Sequence, residues 1–219
     1  MIWLFYAVAV LVAEPAEERV AGLDKASIRA TKAMMNFGEC VARSRATDVG
    51  KLLDTKFGSD AELKALLWVA RTDMDCDLSG FGQIKISREL LMGAILEAYY
   101  HQNLSKNQMK LNPLQTDGPF LPAKSDQPDL VRRGIVLTNF GTCLSNRNPA
   151  AVGALLKTTP MTRGEAAATN NLQPTFRACS AAKGASLATQ ELRAVAATGL
   201  VNRLTGRFEL AQSDSSGAI

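Results

Sequence analysis

The densest set of possible ligand atoms in the chain lies in one short stretch, Thr72 to Ile84, TDMDCDLSGFGQI. Asp73, Asp75 and Asp77 alternate and glycine follows, the pattern by which a calcium loop presents oxygens from its positions 1, 3 and 5. A register from Asp73 puts Leu78 where the loop needs glycine and Ile84 where it needs a bidentate glutamate. A register from Asp75 places Gly80 correctly but has Ile86 in place of the glutamate. The reading that follows is a solvated, glycine-rich turn around Cys76, with calcium as the rival.

Other chemistry is thinly represented. His101 is the sole histidine, placed after Tyr99-Tyr100 near a helix end, where a partly protonated ring suits the C-terminal dipole. No G-x-S-x-G, P-loop or G-x-G-x-x-G occurs, so neither a serine hydrolase elbow nor a nucleotide cofactor is indicated. Asp73, Asp75, Asp77 and Glu97 offer carboxylates for a glycosidase-like pair, but a sequence does not give their separation. A zinc site would lack any C-x-x-C pair. The expectation is that no catalytic, cofactor or metal residues are assembled.

The cysteines carry a stronger signal. Asn36-Phe37-Gly38-Glu39-Cys40 is echoed by Asn139-Phe140-Gly141-Thr142-Cys143, an offset of 103 residues. Val49-Gly50-Lys51-Leu52-Leu53-Asp54-Thr55 faces Val152-Gly153-Ala154-Leu155-Leu156-Lys157-Thr158 at the same offset, and Cys76 falls on Cys179. After a one-residue gap, Arg88-Glu89-Leu90 matches Gln190-Glu191-Leu192. The Cys76 counterpart, Phe176 to Gly184, has no acidic residue, so the aspartates belong to one copy and the cysteine to both. Four cysteines allow three connectivities. Duplication favours one bridge per copy, Cys40–Cys76 and Cys143–Cys179, because each ancestral unit had to be self-sufficient.

The elements that would hold these bridges read as helices. Asp24 to Met35 is rich in helix formers, with Ile28 and Met35 spaced for one face, and runs on to about Arg43. Thr47 or Asp48 is placed to cap a short helix presenting Val49, Leu52 and Leu53; Asn148-Pro149 does this in the second copy. Gly58-Ser59-Asp60 opens a helix over 61–72 with an apolar stripe of Leu63, Leu66, Leu67 and Ala70. Ile84 and Ile86 suit a short extended piece. Ser87 caps a last helix with Leu90, Leu91, Ala94, Ile95 and Ala98 inward. The expected fold is all-α: two tandem homologous helical units, each with one internal disulfide, packed with pseudo-two-fold symmetry because each is small and would otherwise expose apolar faces.

The chain divides accordingly. Residues 2–13, IWLFYAVAVLVA, are too few to span a bilayer, which takes about 20. They suit the apolar region of a secretory signal over 1–16, though no basic residue precedes them. Residues 17–102 form the first unit, 103–129 a linker rich in Asn, Gln, Pro and Gly, and 130–207 the second unit. Residues 208–219 are a polar tail of the kind that stays disordered.

The pattern N-F-G-x-C, a V-x-x-L-L helix and a second cysteine, with Gly82, Ile84, Arg88, Leu91, Glu97 and Tyr99, resembles an exported bacterial family of unknown function. That family repeats a cysteine-bearing helical unit. The resemblance spans Met35 to Leu204 and implies export and disulfides, but no activity.

Composition narrows the classes of partner. Apolar residues make up 47% of the 219 and aromatic residues only 6%, enough for a core but with few rings to stack nucleobases. The net charge is +4, with no basic stripe of the kind that binds nucleic acid. It is uneven: residues 36–102 hold eight basic against ten acidic side chains, and 139–206 hold seven against two. The function expected is a non-catalytic interaction or structural module of the bacterial envelope. It would be periplasmic or secreted, with an envelope or secreted partner and no transmembrane segment after signal removal, and would use the groove between units or their charge contrast. The alternatives are an envelope hydrolase built on the acids of the first unit and a calcium-stabilised module.

Overall fold

Seven consecutive residues, Met92 to Ala98, are buried, and so are eleven from Leu192 to Asn202. Helices buried all round are packed on every side, and these two segments form the centre of the molecule. The structure is a computed structural model that describes residues 25–57, 59–71, 76, 86–105, 111, 113, 129–180 and 187–207. Among them are eight α-helices and no strand. The first four are α1 (Lys25–Ser44), α2 (Ala46–Leu53), α3 (Asp60–Val69) and α4 (Arg88–Tyr99), the last continued by a π-helical turn, Tyr100–Leu104. The others are α5 (Asp129–Arg147), α6 (Pro149–Leu156), α7 (Arg163–Cys179) and α8 (Thr189–Thr205).

The long helices lie in the order α1, α4, α8, α5, each packed on the next. The short helices attach alike in both halves: α2 touches α1, α3 and α4, and α6 touches α5, α7 and α8. Small residues set the closeness of the long-helix contacts. A Cβ on Gly93 would stand 2.3 Å from Ala194 Cβ, and one on Gly141 would stand 2.1 Å from the Val195 carbonyl oxygen. Neither helix pair can approach this closely with a larger side chain in place. The core around them includes Phe37, Val41, Leu52, Leu66, Ile95, Leu96, Tyr100, Leu144, Leu155, Leu172, Leu200 and Val201.

Both disulfides form as duplication favours. Cys40–Cys76 and Cys143–Cys179 each join residues 36 apart in sequence, with Cα atoms 5.7 Å apart. The first ties α1 to Cys76 beyond α3, and the second ties α5 to the last residue of α7.

Several local expectations hold. Asn148 accepts a hydrogen bond from Ala151 N at 3.0 Å with Pro149 at the first turn, and Ser87 accepts one from Leu90 N at 3.3 Å. Others are corrected. α2 starts one residue before Thr47, with Arg45 at its N-cap and no side-chain cap; Asp48 lies inside the first turn. The expected stripe on α3 is rotated. Leu66 and Val69 are buried together with Glu62, whereas Leu63 is 41%, Leu67 60% and Trp68 48% exposed. Glu62 is drawn inward by Arg207 and Arg88, and the helix turns to follow it. The Ile28–Met35 face of α1 is half-buried and does not enter the core, which is reached by Ala33, Met34, Phe37 and Val41. Ile86 belongs to no helix or strand, and the extended piece expected with Ile84 falls partly outside the described residues. Asp73, Asp75, Asp77, Ile84, the proposed signal over 1–16, most of the linker and the tail from 208 lie outside the described residues.

Candidate functional site

Helix ends leave carbonyls without intrahelical partners, and these carry the negative end of the dipole. In this molecule arginines collect them. Arg45 Nη1 donates to the carbonyls of Val69 (2.7 Å) and Arg71 (2.9 Å) at the end of α3, and Arg203 donates to those of Ser145 and Asn146 in α5. Arg193 does the same for α6, donating to Leu155 (3.2 Å), Leu156 (3.0 Å) and Thr158 (2.8 Å).

Arg193 also anchors a buried charge cluster. Its Nε donates to both oxygens of Glu97 at 3.0 and 2.9 Å, and Nη2 donates to Glu97 Oε1 at 2.5 Å. Nη1 donates to Glu165 Oε1 and to Thr158 Oγ1, each at 3.1 Å. The three charged side chains are 3 to 5% exposed. Burial works against the guanidinium charge, but the hydrogen bonds and charge of Glu97, followed by those of Glu165, more than reverse this. The Arg193 pKa therefore lies above its ordinary value.

Local sequence explains why Glu165 arrives there. Thr162 caps α7, accepting from Glu165 N, while Glu165 Oε2 accepts from Met161 N at 2.6 Å. Met161 has φ 65°, in the left-handed region that a side chain enters only at a cost. Its counterpart 103 residues earlier in sequence is a glycine, Gly58.

Beside the cluster opens a groove of about 720 Å³. One wall is the α1 face that carries Ile28, Thr31, Lys32, Met35, Asn36 and Glu39. The other wall is the loop 156–162, and the floor holds Glu97, Ala98, His101, Gln102 and Arg193. The groove thus draws on both halves of the chain. His101 Nε2 lies 2.9 Å from the Leu156 carbonyl oxygen and 3.8 Å from Glu97 Oε1. The expectation of a helix-end histidine therefore holds in kind, but the carbonyl belongs to α6 and not to its own helix.

A second groove has the same kinds of wall and is far smaller, at about 30 Å³. It is lined by Gly134, Leu137 and Thr138 of α5, Phe57 of the loop after α2, Arg88, Glu89 and Met92 of α4, and Val195 and Thr198 of α8. Near it Arg207 Nη2 donates to Glu62 Oε1 at 2.7 Å, and Nε and Nη2 each donate to the Thr55 carbonyl at 3.2 Å. Arg88 also pairs with Glu62. Burial, the Arg88 charge adding to it, lowers the Arg207 pKa against the opposing pull of Glu62.

Of the residues singled out from sequence, the structure brings Glu97 and His101 into one site and commits Glu97 to Arg193. Sequence reading missed Arg193, Glu165, Glu62 and Arg207. One signal for the acids was present: Glu62 and Glu165 keep the 103-residue offset, as do Thr55 and Thr158. Among the described residues, no group of His, Cys, Asp and Glu side chains is arranged to hold a metal ion, and no helix is long and apolar enough to cross a membrane. No family model matches the chain, and neither a curated protein nor a solved structure matches it.

Proposed function

We propose that the chain is a tandem duplication of one disulfide-closed helical unit, packed about a pseudo-two-fold axis between α4 and α8. In this reading it is a non-catalytic interaction module of an exported protein, and its ligand or partner occupies the groove between the halves. The groove itself carries this reading. It has the volume of a ligand pocket, a mostly apolar lining and a few convergent polar groups. Its buried floor charges are bonded to one another, which gives the site the character of a rigid receptor. Two bridges and no free cysteine among the described residues support an oxidising compartment, hence the periplasm or the exterior.

The duplication is supported by the matching attachment of short helices, the equal spacing of the bridges and the repeated Thr–Glu pair. The test is a photo-activatable amino acid at Thr31, on the groove wall, with one at the exposed Thr47 as control. Irradiation in the native envelope should give an adduct from position 31 and none from position 47. Equal labelling from both sites, or none, would remove the groove from consideration.

A further inference from the structure

We propose that the groove recognises a protonated amine on an aliphatic stem, the ammonium group completing the charge of the Glu97–Arg193–Glu165 cluster. This rests on the groove being the ligand site and names what the ligand must carry. The cluster at the floor holds two carboxylates and one guanidinium, all nearly excluded from solvent, of which Glu97 and Arg193 reach the groove and Glu165 lies behind them. Buried charge that is not matched costs several kcal/mol, and a cation entering the groove meets that excess at the lined face of Glu97.

The sister cluster carries the opposite excess. There one carboxylate, Glu62, is met by two guanidinium groups, Arg207 and Arg88, and the adjoining groove is too small for more than about a water molecule. The open groove has no second arginine in its lining. His101 is 3.8 Å from Glu97 and is already engaged with the Leu156 carbonyl. Lys32 and Lys157 also line the groove, but both are exposed, where water and salt weaken their field. Charges held in low dielectric outweigh them at the floor. The rest of the lining fits the stem: Ile28, Met35, Ala98, Pro160 and Met161 supply apolar surface, with methionine at two points where an adaptable contact is useful. Met161 is retained in a left-handed conformation that a glycine would adopt without cost, which keeps its side chain on the wall.

The experiment titrates the oxidised full chain with n-octylammonium, with octanoate, and with an acetylated pentapeptide carrying one central lysine, by calorimetry at low salt. A saturable single site for octylammonium or the peptide, with no site for octanoate, is the expected result. Binding of the peptide alone identifies the amine as a side chain of a protein partner, and binding of octylammonium alone identifies a free amine. Lys157→Glu, an exposed change outside the cluster, should tighten the amine about two- to five-fold. Met35→Lys, which supplies an ammonium from the wall, should abolish saturable binding. The inference is overturned if neither amine binds, if octanoate binds equally, or if Lys157→Glu weakens the amine. Should Thr31 give its adduct in the envelope while both amines fail, the groove reading stands and the ammonium assignment falls.

Discussion

The two halves of the molecule solve one packing problem with opposite charge balance. In each, a threonine follows the short helix and a glutamate lies in the first turn of the next one. Thr55 precedes Glu62 in the first half, and Thr158 precedes Glu165 in the second. In each, an arginine reaches both residues at once, Arg207 in the first half and Arg193 in the second. Both arginines come from the end of the chain, one within α8 and the other just past it, where Gly206 turns the backbone with φ 68°. The first cluster adds a second cation, Arg88, and the second adds a second anion, Glu97. Burial opposes the charge of both guanidinium groups; the two carboxylates around Arg193 hold its pKa above the ordinary value, whereas burial leaves Arg207 below it. The lesson is that like Thr–Glu pairs accept buried charge clusters of opposite sign provided that each charge is partnered. The groove beside the anion-rich cluster is the larger of the two.

Removing the two arginines should separate the clusters most sharply. Arg193→Leu strands two buried carboxylates and should cost about 5 kcal/mol, the upper end for breaking a buried pair. Arg207→Leu leaves Glu62 with Arg88 and should cost nearer 3 kcal/mol. Chemical denaturation of both variants reads the difference; equal losses would mean that the charge balance does not matter.

The bridges should behave alike where the clusters differ. Each closes the same 36-residue separation, so replacing either pair by alanine should cost about 4 kcal/mol on the loop-entropy account. A loss confined to one pair would show that the halves are not equally self-sufficient.

Smaller effects test the helix contacts. Gly141→Ala places a methyl against the α8 backbone and should cost about 2 kcal/mol. Gly50→Ala meets nothing within 4 Å and should add about 0.5–1 kcal/mol through helix propensity. The smallest effect is electrostatic and belongs to the first half alone. A hydrogen bond from Lys51, helped by one from Trp68, holds the Asp48 carboxyl below its ordinary value of 3.8. A carboxyl depressed in the folded state stabilises above its unfolded pKa, and that gain is lost as the pH falls through the folded one. Asp48→Asn should therefore flatten the acid limb of stability below about pH 4, as measured by melting temperature between pH 5 and 2.

Much of this was legible because it is local. The cap at Asn148-Pro149, the cap at Ser87 and the short helices with their buried leucines follow from residue types within one or two turns. The bridge pairing followed from a repeat that includes every cysteine. What failed, failed at tertiary contact. The stripe on α3 was read as Leu63, Leu66, Leu67 and Ala70, since nothing in that stretch shows that Glu62 turns inward toward Arg207, 145 residues later. The face of α1 bearing Ile28 and Met35 has the period of a core face, yet it lines an opening because the loop 156–162 stands off from it.

By itself, then, the sequence determined the all-helical class, the approximate places of the helices of the first half and the two bridges, because propensity, capping and repeated spacing are properties of short segments. Only the tertiary structure decided which arginine meets which acid and which of the two grooves is large enough for a ligand. Those outcomes depend on pairs as distant as Glu97 and Arg193, 96 residues apart, and on glycine contacts that set how closely α4, α5 and α8 approach.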